Sequence, residues 1–357
     1  MTSRHRHDTP RLSSRLAYNA TAKDINSAGN GMKRARLSLP TFVALIFTLT
    51  SAPIVGAQEY PVRTVTVIVP FAVGGTINSI ARGVAPKLGQ RLGKPFVIEN
   101  RPGDATVSAA AALAKATPDG HTLMQATSST LATNVTMYRK LPYDPANDIA
   151  SVALICSIPF ALVVKSSLPV HSVADLIKLA KERPLSYGSA GTGSFTHLTA
   201  ELFSTAVGIK MTHLPYAGSA PALNALVAGH IQLMFTDLGP SLPLIRRGTL
   251  RALGITTSER AAAAPGIPSL AEVGVTGYDA AAWAMLIAPA KTPRPILTRL
   301  NAEVNAIVNT AEVKQQLVNL GVNPIGRGSL DELQAFVKTE VVRWGKVLQE
   351  AGLAGSE

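Results

Sequence analysis

The sequence predicts an α/β protein of two domains, each a sheet with parallel strands covered by helices. Three observations lead there. Short β-branched runs such as Val65 to Val69 look like strands buried on both faces of a parallel sheet. A unit of strand, glycine turn and helix occurs twice, at 65–82 and at 185–207. The 357 residues suffice for two medium domains.

The N-terminus reads as a targeting segment. Met32-Lys33-Arg34-Ala35-Arg36 is a basic stretch, 37–55 is mostly apolar, and Val55-Gly56-Ala57 supplies small residues for cleavage. This pattern predicts a Sec-type signal peptide over 32–57, cut after Ala57, and hence export to the periplasm. Residues 1–31 lack periodicity and read as an over-long start, with Met32 the initiator. Removing 1–57 also changes the charge. The whole chain carries +12, but 1–57 hold eight Lys/Arg and two Asp/Glu. The remainder has 26 against 20, or +6, with no run of Lys/Arg and interleaved aromatics. That argues against nucleic acid as a partner and for a mild field that attracts small anions. The lone Cys156 lies in an apolar run, rules out an internal disulfide and reads as a buried small hydrophobe.

In the first domain, Pro70 stops the opening strand. Gly74-Gly75 supply positive φ and close approach, and Thr76, Asn78 or Ser79 can cap the helix that follows. The free N–H groups of such a helix start suit an anion. A second strand at 96–99, a helix at 108–116 and a third strand at 122–124 follow. The third strand leads to Thr127-Ser128-Ser129, a predicted hydroxyl-rich loop at a strand's carboxyl end, where ligands of open α/β sheets sit. Strands at 152–155 and 160–164, separated by Pro159, mark the crossover to the second domain. There Ser172 and Asp175 form a capping-box pattern. A strand feeds 188–194, and a helix runs from Phe195 to Val207. Ser219 is expected to cap a helix to Ala228, and a strand at 231–235 to deliver Thr236 and Asp237 to the same edge. A strand at 250–256 follows, and 283–288 returns to the first domain. Two amphipathic helices close the chain, the second opened by Ser329 with Glu332 in capping-box register.

These segments together resemble one family. PFAVGGTINSIAR, ENRPG, PDGHTL, LPYDPANDIASVALI, YGSAGTGSFTHLTAELF, LPYAGSAPALNALVAGHIQLMF and APAKTPRPILTRLN follow, in order, the pattern of the Bug-type extracytoplasmic solute receptors, the substrate-binding proteins of tripartite tricarboxylate transporters. The resemblance implies a type II periplasmic binding-protein fold, two α/β domains joined by a two-crossover hinge around a cleft. Domain 1 would be 58–159 plus 283–357, and domain 2 would be 160–282. It implies a small carboxylate ligand held by backbone N–H groups and ordered waters, a membrane permease of the tripartite type as partner, a monomer, no cofactor and no catalysis. Carried over by position, Phe71, Val73, Gly74, Gly75, Thr76, Asn78, Thr127, Ser128 and Ser129 line the cleft from the first domain. Ser189, Gly191, Thr192, Gly193, Ser194, His197, Tyr216, Gly218, Ser219, Thr236 and Asp237 line it from the second. The chain departs from the family pattern where Asn78 and Thr236 replace frequent aspartates, and where Asp104-Ala105-Thr106 replaces Ala-Gly-Gly. The first two departures remove negative charge, which points to ligands with more carboxylates and no amine.

Other functions fit less well. Gly191-Thr192-Gly193 lacks the third glycine of a dinucleotide loop. No G-x-S-x-G elbow is present, and the best Ser/His pair for a hydrolase, Ser194 with His197, has no orienting acid in view. His121, His171, His213 and His230 show no metal-ligand spacing. A sensor for a membrane signalling system remains the alternative to a transport receptor.

Overall fold

The computed structural model describes residues 59–103 and 106–357; the expected signal peptide, Asp104 and Ala105 lie outside the described residues. β1 (Val65–Val69) buries four of its five side chains. It pairs in parallel with β2 (Phe96–Asn100) on one side and β3 (Thr122–Thr127) on the other. Between them run α1 (Thr76–Leu92) and α2 (Val107–Ala114). α1 turns Ile77, Ile80, Val84 and Leu88 onto the sheet, the three-to-four spacing of one helix face, and stops at Gly93 in the left-handed region. The predicted 127–129 loop does not exist as a loop. Thr127 closes β3, and a π-helical turn (Ser129–Thr133) leads directly into α3 (Asn134–Met137).

β4 (Ile149–Lys165) is one strand of 17 residues, where the sequence predicts two interrupted at Pro159. Residues 149–159 pair antiparallel with β9 (Ala281–Pro289). Residues 160–165 pair instead with β7 (Leu233–Asp237) on one edge and β8 (Leu250–Ile255) on the other. Pro159 sits at this exchange of partners, opposite Ala281. A missing N–H breaks no ladder there, and the next one, Phe160 N–H, donates to Thr256 Oγ1 at 2.9 Å. The partner change that Pro159 signals is real; the break is not.

The second half of the sheet adds β5 (Ser186–Ser189) between β7 and β6 (Thr212–Pro215), parallel to both. The main strand order is β2-β1-β3-β9-β4-β7-β5-β6, with β8 and the short β10 (Asn323–Pro324) paired to β4. Its helices are α4 (Val173–Glu182), with the expected Ser172/Asp175 capping box, α5 (Phe195–Val207), α6 (Ser219–Ala228) and α7 (Leu238–Arg246). α7 is absent from the sequence reading because Pro240 and Pro243 argue against a helix. Pro240 falls in the first turn, where no intrahelical N–H bond is needed.

The chain returns along β9, which also pairs with β3, and ends in three helices rather than two. α8 (Arg294–Val308) and α10 (Leu330–Glu350) are the expected pair, and α10 opens with the Ser329/Glu332 capping box. α9 (Ala311–Asn319) lies between them and buries only Val313 and Leu317, too faint a stripe to read as periodic. Cys156 is fully buried on β4, and burial pushes its thiol up to about 12.

Glu340 is the charge set deepest among the C-terminal helices, 5% exposed on α10. Its Oε2 accepts from Trp283 Nε1 of β9 at 2.9 Å and Trp344 Nε1 of α10 at 3.0 Å. Both tryptophans are core residues, as the sequence suggests. Glu340→Leu strands two buried indole donors and is expected to cost about 2–5 kcal/mol, with Glu340→Gln costing less because one acceptor remains. Urea unfolding of the two variants checks this, and equal losses would exclude the acceptor role.

Candidate functional site

A cavity of about 850 Å³ lies where the carboxyl ends of β1 and β3 face those of β5 and β7. From the first half, Phe71, Val73, Gly74, Gly75 and Thr76 line it, with Thr127 and Ser129 from the end of β3. Gly74 uses the left-handed region at φ 94°, whereas Gly75 is extended at φ −75° and is itself the N-cap of α1. No side chain caps α1, so the expected caps at 76, 78 and 79 are replaced by open N–H groups. Asn78 is buried behind the loop and does not line the cavity. Its Oδ1 accepts from Gly74 N–H (3.4 Å) and Arg82 Nε–H (3.1 Å), and its Nδ2 donates to Asn100 Oδ1. Asn100 in turn donates to Phe71 O at 2.7 Å. The two amides hold the loop from below. Ser128 is likewise buried beneath the lining.

From the second half, Thr192, Gly193, Ser194, Gly218, Ser219, Thr236 and Asp237 line the cavity, while Ser189, Gly191, His197 and Tyr216 do not. Ser189 is buried, and its Oγ bonds both the carbonyl and the N–H of Gly191, shaping the loop. His197 points away from the cavity, because Nδ1 accepts from Gly193 N–H at 3.0 Å and the ring stacks on His213. Tyr216 packs against the core of the second half, and its carbonyl accepts from Gly218 N–H. Gly218, at φ 116°, is the N-cap of α6, so Ser219 is the first helical residue and not a cap. The Ser219 hydroxyl bonds the Asp237 carboxyl, which burial holds above the usual carboxylate range against that lowering bond.

Beyond Phe71 and Val73, the sequence does not mark the apolar part of the lining. Ile158 and Phe160, two apart on β4, show the same face to the cavity. Phe195, Leu223, Met137 and Ala282 add to it. Only Phe195, at the first position of a helix after a glycine loop, carries a local signal; the others arrive through tertiary packing. A Cβ built on Gly193 would collide with the Met137 thioether, so α3 of the first half closes against the glycine loop of the second.

Three properties define the chemistry. Among the described lining residues Asp237 is the sole charged side chain, and none is Lys, Arg or His. Of the helices that begin at the cavity, α1, α2, α6 and α7 have no side-chain cap, and their N-cap residues Gly75, Thr106, Gly218 and Asp237 all lie in the lining; α5 is the exception, because the hydroxyl of its lining N-cap Ser194 accepts from His197 N–H. Away from it, Ser172, Thr310 and Ser329 cap their helices, with α8, begun at a proline, the exception. Open helix N-termini favour an anion by about 0.3–1 kcal/mol each. Finally, the buried Oγ1 atoms of Thr127 and Thr236, one from each half, have no hydrogen-bond partner. Buried hydroxyls are normally paired, so these two are unmet polar groups in the walls of the cavity. The Ser194/His197 pair is not a nucleophile and its base. Ser194 Oγ donates to Gly191 O at 2.6 Å and accepts from His197 backbone N–H as the N-cap of α5, while the acceptor nitrogen of His197 is taken by Gly193.

A single antiparallel strand shared by two α/β halves, with a cleft between glycine loops, is the architecture of a periplasmic solute-binding protein. The model for the tripartite tricarboxylate transporter family receptor matches residues 80–353, and the chain belongs to that family, one of receptors and not of enzymes. Protein BugT of Bordetella pertussis is 33% identical over 310 residues, 86% of this chain and 95% of BugT. Among solved structures, Rpa4515 of R. palustris with adipate is 42% identical, with a TM-score of 0.76, covering 83% of this chain and 99% of that one. MatC from Rhodopseudomonas palustris with bound malate is 33% identical, with a TM-score of 0.71, covering 81% and 100%. No helix among the described residues is long and apolar enough to cross a membrane.

Two sets of variants test the geometry without any ligand. Thr127→Val and Thr236→Val replace orphan hydroxyls by methyls and are expected to leave stability unchanged or raise it by up to about 1 kcal/mol. A loss above that size in thermal unfolding would mean the hydroxyls are paired. Gly193→Ala forces φ 70° on an alanine and displaces Met137, for an expected cost of about 1–2 kcal/mol. Gly75→Ala, with its nearest Cβ contact at 3.9 Å, should change stability by less than about 0.5 kcal/mol.

Proposed function

We propose that the chain is a periplasmic receptor that captures a small carboxylate in the cleft and delivers it to a tripartite tricarboxylate-type membrane permease. The observation that carries this reading is the convergence of open helix N-termini on a cavity without a cationic side chain among its described lining residues. Backbone N–H groups and hydroxyls then take the place of a salt bridge, at roughly 1.5–3 kcal/mol for each charge-assisted hydrogen bond. The apolar side chains of Ile158, Phe160, Phe195 and Leu223 favour a ligand with an unsubstituted carbon chain, of the kind bound by the adipate-liganded relative, over a hydroxylated one such as malate. Export by the 32–57 signal peptide, with cleavage after Ala57, is part of the proposal and agrees with the family's location.

The domain division 58–159 plus 283–357 against 160–282 is supported by the exchange of β4 partners after Pro159 and by the start of β9 at Ala281. Ligand touching both halves stabilises the closed arrangement by its additional contacts there.

Thermal unfolding of the 58–357 chain with adipate, malate and adipamide tests the reading. A ligand that binds only the native state adds about 2.7 kcal/mol at a hundredfold excess over Kd. Adipate is expected to raise Tm more than malate, and the uncharged diamide not at all. An equal shift with the diamide would remove the anion claim. Gly75→Asp places a carboxylate at the open start of α1 without a clash, and should weaken adipate binding roughly 100-fold with little change in the ligand-free Tm.

A further inference from the structure

Two histidines lie face to face under the 188–194 loop, with ring centroids 3.8 Å apart and planes within 8°. They reach different parts of it. His197 Nδ1, on α5, accepts the Gly193 N–H at 3.0 Å. His213 Nε2, on β6, shares a 2.6 Å hydrogen bond with Ser189 Oγ, which bonds both the N–H and the carbonyl of Gly191. Because Nδ1 of His197 is an acceptor, the neutral ring carries its proton on Nε2, which faces Glu201 Oε1 at 3.7 Å. The titratable groups around the pair are Tyr187 of β5, stacked on both rings, and Glu201 of α5, already hydrogen-bonded by the Tyr187 hydroxyl. The carboxylate is thus shared with Tyr187, and neither ring has one to itself.

We propose that His197 and His213 are positioning residues that act as one neutral clamp on the 188–194 loop, and that protonation of the pair releases the loop and weakens ligand capture. The proposal rests on that loop being part of the ligand site, as read above. A proton on His197 Nδ1 turns the acceptor of Gly193 N–H into a second donor, and the bond is lost. Two stacked cations at 3.8 Å add repulsion. The pKa of both rings is lowered from 6.5 to about 4, mainly by burial, to which His197 adds at His213 while Glu201 opposes it there. The folded protein therefore takes up these protons less readily than the unfolded chain. The stabilisation is fully present above pH 6.5 and is lost as pH falls from there through about 4.

The test uses ligand-free protein first. Histidine NMR titration is expected to place both midpoints well below 6.5. The Gly193 amide is expected to be protected from exchange at neutral pH. His197→Asn sets an amide oxygen close to the position of Nδ1 without a titrating ring, whereas His197→Leu removes the acceptor. Gly193 exchange should accelerate at least tenfold in the leucine variant and return to near the wild-type rate in the asparagine variant. Adipate affinity should follow, falling at least tenfold and recovering. The asparagine variant should also lose the acid step in the Gly193 amide shift, which separates the clamp from protonation of adipate itself. Midpoints near 6.5, or wild-type exchange in the leucine variant, would overturn the proposal. If the leucine variant does not fold, the wild-type titration and the asparagine variant's acid step decide it. If wild type binds no carboxylate, the proposed ligand class fails, while titration and exchange still decide the clamp.

Discussion

Both halves of the sheet hydrogen-bond to the same strand. β4 gives its first eleven residues to β9 and its last six to β7 and β8, so one extended backbone fixes where each half stands. The cleft forms at the exchange point because strands ending there leave their carboxyl ends, and the helix starts that follow, facing each other. Ile158 and Phe160 are the floor of the cavity for the same reason: they flank Pro159 on the side the two halves share. The geometry also explains how a proline is tolerated in the longest strand, since the exchange of partners removes the need for its N–H.

The treatment of helix ends divides the molecule into structural and receptive parts. Where a helix only supports the fold, a serine or threonine usually satisfies its first N–H groups. Where a helix opens on the cavity, glycine, a left-handed threonine or a strand-end aspartate stands at the cap with no side-chain bond at α1, α2, α6 and α7, while α5 keeps its Ser194 cap. Forgoing a side-chain cap costs up to about 1 kcal/mol, and only a few tenths of that where glycine stands at the cap. On the proposed function, an anion at these starts would serve as the missing cap. Asp237 sets a limit on this. It puts a carboxyl beside the start of α6, bonded by Ser219.

Local chemistry was legible wherever it acts within a few residues. The capping boxes at Ser172 and Ser329, the Gly74 turn and the full extent of α5 follow from short-range rules. So did the facing edges of β1 and β3, because parallel neighbours place their loops together. Legibility ended where tertiary contacts decide. His197 sits three residues after Ser194 and looks able to face the cleft, but the ring of His213, sixteen positions further on, draws it to the other side. Asn78 and Ser189 are polar and close to the ligand loops, yet they build those loops from beneath. The apolar lining from β4 and the Met137 contact were invisible because nothing nearby in the chain marks them. α7 and α9 were hidden by prolines and by a two-residue apolar stripe.

Recognition through main-chain N–H groups, as proposed for the cleft, would have an evolutionary corollary. Every residue but proline has that group, so the anion-holding surface can survive the replacement of most side chains around it. Divergence is then free to act on the intervening apolar wall, where exchanging one aliphatic group for another resets the length and branching of the solute without disturbing how its ends are held. Relatives could thus part in diet while agreeing in loop shape, and comparing their side chains one by one would report difference or likeness in the wrong place.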